Sequence, residues 1–449
     1  MTNGKSLCIP LLLCAFANFA ARAEEEKKLP EQTAKAIALV DAFVKGDYDA
    51  AGKDFDATMQ KVLPSDKRKA LWEKLIDQVG AFQKRAGTRV GRAAQYDIVL
   101  VTCRFKKTTL DVRVVFDSDK RVTGLQFRPA QGMYEFKPPP YAKPESYREE
   151  KIAVGSGEWA LPGTLTLPTG EGPFPAAVLV HGSGPQDRDE TIGPNKPFRD
   201  LAWGLASQGI AVLRYEKRTR EHAARMAALK ETLTFKEETV DDAVAAVSAL
   251  RACKQIDAKR LFAIGHSLGA MAAPRIGERD PEIAGLVLLA ANARPLEDLI
   301  VEQITYLVSL NGKITDADRE RLDELKKQAA RVKDAKLSAD TPTSELPLGA
   351  PAAYWLALRA YNQTATAARL KQRIFVAQGE RDYQVTMDDF AEWKKALASR
   401  RNATLRSYPK LNHLFMEGEG KSKPAEYDKA DHVARELVND LAGWIKNQK

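Results

Sequence analysis

Leu261-Phe262-Ala263-Ile264-Gly265-His266-Ser267-Leu268-Gly269-Ala270-Met271-Ala272-Ala273 decides the fold of this chain. The first four residues read as a buried strand and the small residues after Gly269 as a helix, with a glycine-bounded turn between them. A serine in Gly-x-Ser-x-Gly between strand and helix sits on a nucleophile elbow. The elbow turns too sharply for bulky residues two positions either side of the serine, hence Gly265 and Gly269. It lifts the Ser267 hydroxyl above the sheet, near the positive end of the new helix, where negative charge is stabilised.

A serine hydroxyl needs a base, and the base needs an orienting acid. The chain has five histidines. His266 lies inside the elbow, with its side chain expected to point elsewhere, and His181 ends a strand within His181-Gly182-Ser183-Gly184-Pro185. His222 and His432 fall in charged helical surroundings and read as surface residues. His413 follows the expected strand Thr404–Tyr408, in Leu411-Asn412-His413-Leu414-Phe415, the late loop position that the order Ser…Asp…His requires. For the acid, Gly379-Glu380-Arg381-Asp382-Tyr383-Gln384-Val385 directly follows a strand ending near Gln378. An acid there faces the same crevice as the elbow. Asp382 is the choice, with Glu380 the nearest competitor and Asp298 a weaker one; the bland alternative for Asp382 is a helix N-cap. For the oxyanion hole, Leu268 N–H is the first donor. The His181–Pro185 loop offers a second, Ser183 N–H, with Gly184 next.

Around these stations short apolar strands alternate with helices. Ala176–Val180, Ile210–Leu213, Leu261–Ile264, Gly285–Ala290 and Ile374–Ala377 predict a buried, mostly parallel sheet in an α/β domain over residues 148–449, after a β-rich entry at Lys151–Leu167. Between Leu296 and Leu370 a charged amphipathic segment, including Asp316–Val332, reads as a helical lid inserted between two sheet strands. Tyr354, Trp355 and Tyr361 within it are candidates for lining an acyl pocket, or for the lid's own core.

Residues 24–130 read as a separate α+β domain, helical from about Glu31 to Ala86 and strand-forming from Thr88 to Pro129. Residues 131–147, with Pro138-Pro139-Pro140 and Pro144, make a stiff linker. Residues 1–23 read as an export signal: Lys5, an apolar run from Leu7 to Ala20, and Ala21-Arg22-Ala23 before Glu24-Glu25-Glu26. The run is too short to span a membrane, and large Leu13 before Cys14 disfavours a lipobox. Cleavage near Ala23 predicts a periplasmic or secreted protein. It leaves Cys103 and Cys253, which fall in different domains and read as free thiols.

The 449 residues are 44% apolar and 29% charged with a net charge of +9, an ordinary globular balance with basic and acidic residues interspersed. No basic stripe with aromatics supports a nucleic-acid partner. No His-Glu-x-x-His pattern or zinc-like Cys spacing occurs, so no metal or organic cofactor is expected.

From about Ser146 to Lys449 the chain resembles bacterial carboxylesterases of the EstD type, within the α/β-hydrolase superfamily. The matching pieces are His181–Pro185, Arg214-Tyr215-Glu216-Lys217-Arg218, Gly265–Gly269, Gly379–Val385 and Leu411–Phe415. The N-terminal domain resembles the DUF3887 type, with an NTF2-like cone shape. The resemblance implies an α/β-hydrolase fold with the triad Ser267, Asp382 and His413, acting on small-molecule carboxylic esters. A serine peptidase or thioesterase uses the same triad. An alternative of another class is a catalytically silent envelope binding protein, whose N-terminal module binds a ligand or a second subunit to give a homodimer. Ser267 argues against the Cys of dienelactone hydrolases and the Asp of dehalogenases at the same position.

Overall fold

A computed structural model describes residues 29–93, 96–130, 136–229, 232–310, 312 and 314–447. The export signal expected over residues 1–23 lies outside the described residues, as do residues 131–135 of the linker. The chain divides into two compact units, one ending at Phe136 and the other spanning Lys137–Lys449.

In the first unit, helices Pro30–Lys45 and Ser65–Val79 precede a four-stranded antiparallel meander, β1 (Phe82–Ala93), β2 (Tyr96–Phe105), β3 (Thr109–Phe116) and β4 (Val122–Pro129). Leu39, Val40 and Phe43, at helical spacing, meet Trp72 and Leu75 over the inward residues Val99, Val101, Val112 and Val114. Phe43 stacks on Trp72 at 5.3 Å. The helix expected to reach Ala86 stops earlier. Gly80, at φ 79°, ends it, and the backbone turns into β1. Val79 and Phe82 mimic helical spacing across that boundary, but Phe82 belongs to β1 and meets the Phe105 ring edge-on at 5.8 Å.

The second unit carries one eight-stranded sheet. Its strands are β5 (Tyr147–Val154), β6 (Leu161–Pro168), β7 (Phe174–Val180), β8 (Ala211–Tyr215), β9 (Ile256–His266), β10 (Gly285–Leu289), β11 (Arg373–Gly379) and β12 (Ala403–Tyr408). Their order is β12-β11-β10-β9-β7-β8-β6-β5. β7 to β12 run parallel, while β5 and β6 are antiparallel to their neighbours. This is the α/β-hydrolase fold. The central parallel strands β7, β9, β10 and β11 carry apolar runs because both faces are covered there, while β12 at the sheet edge alternates in exposure. Helices Asp241–Arg251 and Leu268–Arg279 pack on one face, Pro197–Ala206 and Arg435–Lys446 on the other. The chain leaves β7 toward β8 and returns to β9 on β7's far side. That reversal opens a crevice at the carboxyl ends of β7 and β9.

The insertion between β10 and β11 contains helices Leu296–Ser309, Asp316–Lys333, Ala352–Arg359 and Gln363–Arg369. Tyr354, Trp355 and Tyr361 are buried in the core beneath it. Tyr361 stacks on Phe235 at 5.3 Å and donates to the Met271 carbonyl at 3.0 Å, so these aromatics anchor the insertion. Cys103 and Cys253 are both free thiols, and burial pushes the Cys103 thiol up to about 12. No described helix is long and apolar enough to cross a membrane.

Candidate active site

Four loops at the carboxyl ends of β7, β9, β11 and β12 bring the sequence-derived residues together. Ser267 follows β9 directly, at φ 54° and ψ −117°. A non-glycine residue at positive φ is costly, and the surroundings hold this one there. Its N–H donates to the Leu289 carbonyl at 2.9 Å, and its carbonyl accepts from Met271 in the first turn of the following helix. A Cβ on Gly265 would stand 2.2 Å from the Gly269 carbonyl oxygen. One on Gly269 would stand 2.2 Å from that of Val180. Both glycines are therefore steric requirements of the turn.

Asp382 sits in the turn after β11, and its two oxygens have different work. Oδ1 accepts from the backbone N–H groups of Gln384 at 2.7 Å and Val385 at 3.1 Å, fixing the turn. Oδ2 lies 2.6 Å from His413 Nδ1. A carboxylate can only accept, so Nδ1 carries the proton and Nε2 is left as a base. Both residues are buried. The His413 loop is shaped by Asn412, whose Oδ1 accepts from Leu414 and Met416 N–H. Gly379 lets this loop approach β11, because a Cβ there would lie 2.4 Å from the Leu411 carbonyl oxygen. The competing acids are elsewhere. Glu380 is exposed and accepts from Ser407 Oγ, and Asp298 pairs with Lys333 on the insertion.

Ser267 is joined to this pair by its own neighbour. His266 Nε2 lies 2.9 Å from the His413 carbonyl oxygen, and the two rings are 4.7 Å apart. The Ser267 hydroxyl itself makes no hydrogen bond to His413 within 3.5 Å, and it is part-exposed. Such contacts are often loose without substrate.

The His181–Gly184 loop lies over the elbow. A Cβ on Gly182 would stand 3.3 Å from Ser267 Cβ. Gly182 N–H donates to Glu190 Oε1 at 2.6 Å, so that group is already engaged. Among the described residues, neither Ser183 N–H nor Leu268 N–H has a protein acceptor. His181 is fully buried against Phe198 and Tyr215, with Nε2 3.1 Å from the Asp187 carbonyl oxygen. Burial lowers its pKa to about 4, which keeps it neutral.

The chain matches the family described as "Serine aminopeptidase, S33" over residues 195–420, and "Protein of unknown function (DUF3887)" over residues 36–125. It is 41% identical over 375 residues to "Esterase EstD" of Thermotoga maritima, covering 84% of this chain and 86% of that protein. The chain belongs to the EstD family. More distantly, an esterase from Pyrococcus furiosus is 16% identical, with TM-score 0.42, covering 70% of this chain and 98% of its own. A dienelactone hydrolase from Anabaena variabilis is 16% identical, with TM-score 0.39, covering 68% and 99%.

In this family member, two further charged groups border the elbow that sequence reading missed. Glu190 is fully buried and strained at φ 51°, and its Oε2 lies 3.0 Å from His266 Nδ1. The pair is close but not aligned as a hydrogen bond. Burial alone would raise the Glu190 pKa and lower that of His266. The opposite charges reverse both, so Glu190 is lowered and His266 raised. Lys217 is the second, with Nζ 2.7 Å from the Gly182 carbonyl oxygen. No local signal marks either one, since Asp187-Arg188-Asp189-Glu190 and Glu216-Lys217-Arg218 read as ordinary charged loop residues. Two expectations are corrected. His222 is part-buried edge-on to Trp159, with rings 5.4 Å apart. His432 lies outside any helix, and its Nδ1 is 3.1 Å from the buried carboxylate of Asp200, whose hydrogen bond raises its pKa.

Proposed function

We propose that this protein hydrolyses carboxylic esters through Ser267, His413 and Asp382. The observation that carries the reading is the 2.6 Å contact between Asp382 and His413, delivered beside a strained serine by adjacent strands of one sheet. Ser267 Oγ attacks the acyl carbon as His413 Nε2 takes its proton. Asp382 holds the imidazole tautomer and stabilises the imidazolium. The oxyanion accepts from Leu268 N–H and Ser183 N–H. The imidazolium then protonates the leaving alkoxide, and water, activated by the same histidine, releases the acid and restores Ser267.

Family membership supports ester hydrolysis, and the small p-nitrophenyl esters are its direct test. Wild-type protein should turn them over and react with a fluorophosphonate at Ser267. Ser267→Ala should do neither while keeping its melting temperature. The match to a family described as a serine aminopeptidase favours a second reading, peptide cleavage by the same residues. Wild-type protein that cleaves peptide anilides and leaves esters untouched would decide for that one. The apolar run and Ala-x-Ala site at the N-terminus support export, with the mature chain starting at Glu24. N-terminal sequencing of protein recovered from the periplasm or medium tests it.

A further inference from the structure

We infer that Lys217 is a positioning residue for the oxyanion hole, held in place by Glu238 and by Tyr354 of the insertion. The inference rests on the reading of Ser183 N–H as an oxyanion donor.

The carbonyl of Gly182 and the N–H of Ser183 belong to one planar peptide and point in opposite directions. Lys217 Nζ donates to that carbonyl at 2.7 Å. Rotating the peptide so that Ser183 N–H leaves the acyl site breaks this charge-assisted bond. Glycine is the residue whose flanking peptides rotate most freely, so a clamp is needed here. The preceding peptide is pinned from the other side, by Glu190 Oε1 on Gly182 N–H at 2.6 Å. An ammonium behind the carbonyl also polarises the peptide and strengthens its N–H as a donor. Its charge acts through the peptide dipole on the atom that becomes negative in the transition state.

Lys217 is buried with 2% of its surface exposed, a location that demands compensation. Glu238 Oε1 provides it at 2.6 Å. Glu238 comes from a single π-helical turn, Lys236–Val240, a distortion that recurs at functional sites. Its other oxygen accepts from Tyr354 Oη at 2.8 Å. Tyr354 stands on helix Ala352–Arg359, so a continuous polar chain runs from the insertion to the Gly182–Ser183 peptide. An ion pair serving packing alone would need only Glu238. The third contact, to the loop carbonyl, is what the packing role leaves unexplained.

The test is Lys217→Met, which keeps the stem and removes the ammonium. On p-nitrophenyl acetate kcat should fall by about 100-fold with KM nearly unchanged, as for loss of an oxyanion donor. Affinity for a trifluoromethyl ketone that mimics the tetrahedral state should fall by the same factor as kcat/KM. A folded Lys217→Met enzyme with unchanged kcat, or with the loss confined to KM, overturns the proposal. If that variant does not fold, Tyr354→Phe decides. A kcat loss of about fivefold, matched in ketone affinity, supports the relay, and an unchanged kcat overturns it. Wild-type protein labelled at Ser267 and active on esters separates these outcomes from failure of the esterase reading, which would remove both together.

Discussion

His266 Nε2 lies 2.9 Å from the backbone carbonyl oxygen of His413, while its Nδ1 faces Glu190 across 3.0 Å. Both ring nitrogens therefore face acceptors, and the protonated ring suits the site best. One charged side chain thus ties the elbow to the histidine loop, and its partner Glu190 ties the elbow to the Gly182 loop.

Replacing His266 by Gln leaves a buried carboxylate without its counter-charge, and should cost about 3–5 kcal/mol near pH 6. The sign of the pH dependence follows from the shifts. The His266 pKa is raised above its ordinary 6.5 despite burial, by the Glu190 charge. Its contribution is fully present below 6.5 and is lost as pH rises through the raised native value. Glu190 is lowered from 4.5, so its own contribution is lost only as acid passes below that value. Urea denaturation should show the gap between wild type and His266→Gln narrowing on the alkaline side. A gap that is flat from pH 6 to well above the raised value would contradict the charged pair.

Asp382→Asn should leave the turn at Gln384 and Val385 intact, because a side-chain oxygen can still accept there. It places an amide where the Nδ1 proton of His413 was held, so the ring favours the wrong tautomer. The expected result is a kcat loss of about 10³–10⁴-fold, with stability changed by no more than about 1 kcal/mol. Ester kinetics and a thermal melt on one preparation check both halves.

Ser267 stores backbone strain at φ 54° that stability alone does not call for. Ser267→Gly removes the penalty of positive φ, worth about 1–3 kcal/mol, against a glycine entropy cost of about 0.5–1 kcal/mol. Ser267→Ala keeps the strain. The glycine variant should therefore be more stable than the alanine variant by about 1 kcal/mol, with both inactive. Equal denaturation midpoints would mean the elbow is relaxed.

Gly269→Ala tests the close approach of the elbow helix to β7. The new Cβ would meet backbone oxygens of Val180 at 2.2 Å and His181 at 2.6 Å, and backbone cannot swing aside as a side chain can. Destabilisation beyond about 4 kcal/mol is expected, seen as loss of soluble protein or of the cooperative melt.

Apolar runs near glycine made β7, β9, β10 and β11 legible, because a strand covered on both faces is predominantly apolar. Ser267 and Asp382 could be proposed because each follows such a strand, and His413 from its place in the chain order, since β12 before it alternates in exposure. The start of β1 was hidden because Gln83-Lys84-Arg85 is polar on an edge strand, and only Gly80 marked where the helix ended; the strand reading began at Thr88. Glu190 and Lys217 were hidden because their meaning lies in partners far along the chain, His266 and Glu238. Charged residues are assigned to solvent by default, and nothing local in Asp189-Glu190 or Glu216-Lys217 says that these two are enclosed. His432 was misplaced likewise, its partner Asp200 being more than two hundred residues away.

β10 and β11 pair directly, Gly285 with Arg373 through Leu289 with Ala377, although the whole helical insertion lies between them in the chain. The sheet closes without drawing a strand from that insertion, so the register that sets β10 against β11 does not pass through it. A graft in its place would have to supply again the contacts that seat it, among them the Tyr361 hydrogen bond to the Met271 carbonyl and the Tyr354 hydrogen bond to Glu238.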